Sequence, residues 1–254
     1  MPTYFLPVFQ NNALLELTER VDAVQGATAD LEAVLAFCQW YRIRGICSLF
    51  LDGRPDSFLA DLHRSGRAFL HYVARAPMSQ KVTSRAAPFY DAIASGDWAC
   101  AREIALHSRL TWNVEAEFED DFQFVLFLMK RFFLDGTPAE CTAVLGRFEE
   151  ILSGAPDPHL DLGHAFASDD AERFGSGLAE LLENYEGRYQ KLISDDALGL
   201  EEAETESKLC VEGLALVKLA ETRNFRLDED YLLIPSVARE KASIVFGADD
   251  WTRP

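Results

Sequence analysis

The sequence predicts an all-α fold: a single compact array of about nine to eleven helices packed as hairpins, spanning residues 1–254 as one domain and ending in an irregular tail. Three observations predict it. Apolar residues recur at spacings of three and four through almost every long segment, the signature of helices with one buried face. Alternation at period two is scarce. Short clusters of Gly, Pro, Asp and Ser separate the apolar segments, as in helices joined by tight turns. With 254 residues, 48% of them apolar, the chain is long enough to bury a sizeable core without staples.

The elements run in order along the chain. Leu14, Leu17, Val21 and Val24 mark a helix over residues 13–24. Thr28 or Asp30 can cap the next, which carries Leu31, Val34, Leu35, Cys38 and Tyr41 and runs toward Leu51, with Gly45 as a weak point. Asp52, Gly53 and Pro55 make a turn. Residues 56–75 form a third helix, ended by Pro77 because proline disfavours helix at the residue before it. Residues 88–95 and 98–108 read as a hairpin, with Asp97 capping the second arm.

A long helix is expected over residues 114–134. Gly136 suits the left-handed position behind it. Thr137, Pro138 and Glu140 then start a helix that reaches Leu152. Residues 154–158 are the most linker-like stretch, and they are few. Two helices dominate the C-terminal part, over 171–193 and 203–222, with Asn224 as a stop. In the tail, residues 243–246 read as one short strand. A weak internal echo relates Ala92-Ile-Ala-Ser-Gly-Asp97 to Ala165-Phe-Ala-Ser-Asp-Asp170, read as two independent uses of a common turn.

Charge narrows the class of partner. The formal balance is −18, and residues 101–254 hold 32 of the 42 acidic side chains. Phosphate binding needs Lys and Arg, so nucleic acid is disfavoured, as is an anionic membrane surface. On charge alone the balance reads first as a solvated, repelling surface that keeps the protein soluble; where it selects a partner, that partner is basic. The five cysteines are scattered without CxxC spacing, which fits a reducing compartment. No basic-then-apolar leader opens the chain, so a cytoplasmic location is expected. The most apolar run, residues 122–134, falls short of the ~20 residues of a membrane span and reads as a core helix.

Catalytic signatures do not stand out. The phosphate-cradle, zinc and nucleophile-elbow motifs are missing, and no cofactor or metal is expected. His159, Asp161 and His164 are the densest set of metal-capable side chains, but His159 and His164, five apart, do not share a helix face. Glu103 and His107 do share one, as a surface pair. His63 and His71 read as packing residues. The strongest feature is acidic: Glu115, Glu117, Glu119, Asp120 and Asp121 crowd the start of the long apolar helix. Two carboxylates there would complement the helix dipole, whereas five repel, and the Glu115/Glu119 and Glu117/Asp121 pairs destabilise a helix. These five are therefore the candidate binding residues for a basic partner. The acids of 201–206 read as a solvated helix start.

Several runs resemble a known family: Arg67-Ala-Phe-Leu-His-Tyr72, Ser84-Arg-Ala-Ala-Pro-Phe-Tyr90, Ala94-Ser-Gly-Asp97 with Ala101-Arg-Glu-Ile-Ala105, Trp112-Asn113, Glu117 to Phe124, Glu206 through Val211-Glu-Gly-Leu-Ala215, and Asp230-Tyr-Leu-Leu-Ile-Pro-Ser236. Across residues 67–236 the chain resembles the immunity protein 49 family of bacterial polymorphic toxin systems. The resemblance implies an all-helical cytoplasmic protein, not an enzyme, that binds and neutralises a cognate toxin by steric and electrostatic blocking. It supplies no catalytic residues and does not name the toxin. The alternatives are a helical enzyme with a carboxylate/His metal site and a helical adaptor.

Overall fold

The structure is a computed structural model that describes residues 3–26 and 28–254. Among these the architecture is all-α: twelve α-helical segments, no strand, and one isolated bridge between Tyr231 and Ile234. The helices are α1 (Leu6–Gln25), α2 (Leu31–Asp52), α3 (Pro55–Val73), α4 (Ala87–Ala94), α5 (Trp98–His107), α6 (Glu119–Phe132), α7 (Pro138–Leu152), α8 (Pro158–Ser168), α9 (Ala171–Ser194), α10 (Leu200–Glu204), α11 (Val211–Thr222) and α12 (Ser236–Arg239). No described helix is long and apolar enough to cross a membrane.

Local chemistry sets most boundaries. Asp30 accepts from Ala33 N at 2.8 Å and starts α2. Gly53, at φ +62°, ends it in the left-handed conformation that glycine adopts without steric cost. Gly45 does not weaken α2. A Cβ there would lie 3.2 Å from the Phe58 carbonyl oxygen, so glycine is what lets α2 and α3 approach. Thr137 and Glu140 form a reciprocal capping box on α7. The residue behind α6 in the left-handed region is Asp135 (φ +53°) rather than Gly136. Gly136 is small for another reason, since its Cβ would meet the Lys130 carbonyl oxygen at 2.9 Å.

Hairpins pack in sequence: α1 on α2, α2 on α3, α6 on α7, α8 on α9. The closure is not sequential, because α11 returns to pack on α4 and ties the last third of the chain to the first. One buried apolar cluster runs from Leu17 to Trp251 and includes Phe37, Phe58, Phe89, Phe127, Phe166 and Leu214. The two echoed segments are the same turn. In each, the capping Asp donates its N–H to the carbonyl of the alanine that opens the segment, Asp97 to Ala92 and Asp170 to Ala165, both at 2.9 Å. The residue before the cap is left-handed in both, Gly96 at +79° and Asp169 at +55°.

Three element assignments need correcting. The helix placed at 114–134 begins only at Glu119. Residues 113–117 form a loop instead, because Glu117 accepts from Ser84 N at 2.8 Å and Asn113 N at 3.1 Å, and its carbonyl takes the Trp112 indole N–H. The helix placed at 203–222 is broken between α10 and α11. There Glu206 turns inward, and Cys210 N donates to Leu233 O. Residues 243–246 form no strand. Ser243 is held by Asp56 through N–H and hydroxyl, and Phe246 lies on the His63 ring.

The tail straps the N-terminal helices. Trp251 is buried against Phe37 and His71, and its carbonyl accepts from the Tyr41 hydroxyl at 2.7 Å. All five cysteines are buried and unbridged. Burial pushes the Cys38 and Cys100 thiols up to about 12.

Candidate functional site

A cavity of about 320 Å³ opens where α4, α6, α8, α9 and α11 converge. Its walls combine aromatic rings (Tyr90, Phe124, Tyr185, Tyr189) with charges of both signs. Its charged and aromatic lining, open in part to solvent, distinguishes it from a void in an apolar core.

The deepest charges are locked in pairs. Arg42, from α2, forks onto Asp91 with bonds of 2.9 and 2.7 Å and reaches Glu206 at 2.8 Å. Burial opposes its charge, but these two carboxylates more than offset that and hold it protonated. Gln39 takes the second Glu206 oxygen, and the Ser65 hydroxyl donates to Asp91. Arg42 between Tyr41 and Ile43, and Asp91 after Phe89 and Tyr90, are the sequence signal for this pair: charged residues almost never bury fully unless paired.

His159 is the second lock. Its Nδ1 lies 3.1 Å from Asp157 and its Nε2 3.0 Å from Glu212, with the ring 4.5 Å from that of Phe124. Burial, and then the charge of Glu212, push the Tyr90 hydroxyl well above its ordinary range. Burial works against the imidazolium, yet Glu212 and Asp157 outweigh it and raise its pKa to about 10. With both N–H groups donated, the ring has no lone pair to accept a proton near neutral pH. It clamps α8 to α11 rather than serving as a general base. Asp161 faces away and pairs with Arg173 at 2.6 Å, so His159, Asp161 and His164 do not act as one set.

Three charged wall residues make no ion pair with described residues: Asp120 and Asp121 on α6, and Arg188 on α9. Asp120 accepts only from the Asp121 N–H beside it. Burial, and then Asp120, push the Asp121 carboxyl up. Arg188 lies over the rings of Tyr185 and Tyr189, 5.2 and 5.4 Å from their centroids.

No family model, curated protein or solved structure matches the chain.

The acidic cluster predicted from sequence is divided by the fold. Glu117 is taken up by the backbone N–H groups of Ser84 and Asn113. Glu119 is bound by Arg147 of α7 at 2.8 and 3.0 Å, which holds its carboxyl below the usual range. Glu115 is exposed, and Asp120 and Asp121 meet the cavity. Since Glu115 and Glu117 lie outside α6, the like-charge pairs expected along one helix do not form. Sequence reasoning missed Tyr90, Arg188 and Glu212, which spacing cannot connect. It also placed Glu206 on a solvated face, whereas that side chain is buried against Arg42.

Proposed function

We propose that the chain is an immunity-type inhibitor, which binds a basic protein toxin and neutralises it without turnover. The observation that carries this reading is the segment entering α6. Phe118 is 78% exposed and Val114 is 68% exposed, in a segment that also carries Glu115, Asp120 and Asp121. A large exposed ring in an acidic segment suits a binding hot spot with charge complementarity: apolar burial supplies affinity, and the charges speed encounter and choose the partner. The formal charge of −18 gives a field that attracts a cationic protein over long range. The resemblance of residues 67–236 to immunity proteins supports the same reading.

Within this proposal Glu115, Asp120 and Asp121 face the toxin, whereas Glu117 and Glu119 shape the surface that presents them. The test is co-expression with the toxin encoded beside the gene, together with calorimetry on the purified pair. Protection of the cells and a 1:1 complex that weakens for Phe118→Ala are expected. Absence of both protection and binding overturns the reading.

A further inference from the structure

We infer that the cavity between α6 and α9 is a binding site for a dibasic α-amino acid, with Asp120 and Asp121 taking its two cationic groups and Arg188 its carboxylate. The inference goes beyond the inhibitor reading and does not depend on it.

Most charges around the cavity are already paired. Arg42 is paired with Asp91 and Glu206, and His159 with Asp157 and Glu212, so each set keeps one surplus negative charge that favours a ligand of net positive charge. Each of these cations faces two carboxylates, so neither repels an incoming cation. Asp120, Asp121 and Arg188 line the same space without an ion pair among the described residues, and Asp121 and Arg188 are open to solvent, where a ligand can reach them. They present two negative charges on one helix and one positive charge on another. The complementary ligand carries two positive groups and one negative group. A free basic amino acid such as arginine or lysine has that set, in a molecule small enough for one cavity.

The walls suit the rest of such a molecule. Phe124 and Tyr189 offer apolar faces along which an aliphatic stem can lie, while its ends reach polar groups. Arg188 is stacked over two tyrosine rings, which restrains its planar fork without using its N–H donors. A fork of that kind can take a carboxylate through two parallel hydrogen bonds. The cavity volume of about 320 Å³ compares with ~30 Å³ for one water, so a small ligand would displace several waters. The proximity of Asp120 to Asp121 disfavours two bare carboxylates, and a bound cation relieves it.

The test titrates the full chain with L-arginine, L-lysine, agmatine and L-norvaline, followed by calorimetry and amide NMR shifts. Agmatine keeps the guanidinium but lacks the carboxylate, and norvaline lacks the second cation. We expect saturable binding of L-arginine or L-lysine, with agmatine and norvaline each weaker by about tenfold or more. Asp120→Asn with Asp121→Asn should abolish L-arginine binding while the melting curve shows an intact fold. Arg188→Gln should bring L-arginine down to the level of agmatine. Undetectable binding of L-arginine and L-lysine at millimolar concentration overturns the proposal. So does equal binding of L-arginine and agmatine, because the cavity would then read a cation alone, as a partner's lysine or arginine side chain presents it. No partner protein enters the experiment, so its failure leaves the inhibitor reading untouched.

Discussion

Arg42 on α2 grips Asp91 on α4 through its Nε and Nη2 groups, and Asp91 is wholly hidden from solvent. A buried ion pair of this kind adds little net stability compared with apolar residues of the same shape, but removing one partner leaves an uncompensated charge. Arg42→Met should therefore cost about 3–5 kcal/mol. Adding Asp91→Leu should recover part of the loss, since only Glu206 then stays unanswered. Urea unfolding of the single and double variants measures both, and a single variant as stable as wild type would remove Asp91 from its role as a buried anion.

His159 sets a pH dependence with a definite sign. Its pKa is raised from 6.5 to about 10 on folding, so the folded state binds the proton more tightly than the unfolded chain. The stabilisation is full below about pH 6.5 and is lost as pH rises through about 10, on the order of a few kcal/mol in all. Ring proton shifts should show His159 still protonated at pH 8. His159→Gln should flatten the alkaline loss of stability. A normal titration near pH 6.5 would break the clamp between Asp157 and Glu212.

The acidic cluster should separate by experiment as it does in space. Glu117→Gln puts an amide where two backbone N–H groups now donate, and should cost roughly 1–3 kcal/mol in thermal unfolding. Asp121→Asn should cost nothing, or stabilise slightly. Its carboxyl is pushed up by burial and by Asp120, so its charge is a burden on the fold near neutral pH. Association with a basic toxin should respond in the opposite order, with Asp121→Asn slowing it more than Glu117→Gln.

Glycines give a matched pair. At Gly66 in α3 a new Cβ would sit 2.8 Å from the Ala92 Cβ of α4, so Gly66→Ala should cost about 1–3 kcal/mol through overpacking. At Gly146 in α7 a new Cβ meets nothing within 4 Å. Gly146→Ala should stabilise by up to about 1 kcal/mol, because alanine is the better helix former. Melting temperatures of the two variants should move in opposite directions.

How much of the fold and the site was legible in the sequence depends on the range of the interaction. Asp30, Asp97 and Thr137 each act on an N–H group one helical turn away, so caps and turns could be read directly. The break after Glu204 could not, because its cause is Arg42, 164 residues away from Glu206. Likewise Glu117 looks helical beside its apolar neighbours until Ser84, 33 residues earlier, claims its carboxylate. The cavity was invisible for the same reason: Tyr90, Asp121, His159, Arg188 and Glu212 come from five different helices. Acidic character at 115–121 was legible, whereas its division into structural and free carboxylates was not.

The bond from Tyr41 to the Trp251 carbonyl closes a loop of 210 residues. Loop-closure entropy grows only logarithmically, so this contact costs about 3 kcal/mol more to close than a ten-residue loop would. Its larger effect is on timing. While the chain is being synthesised, Phe37, Tyr41 and His71 wait with one face open until residue 251 has emerged, and α4 waits for α11. The N-terminal hairpins must therefore hold together on their own contacts until the segment around residue 251 has been made, and only then does this part of the core close.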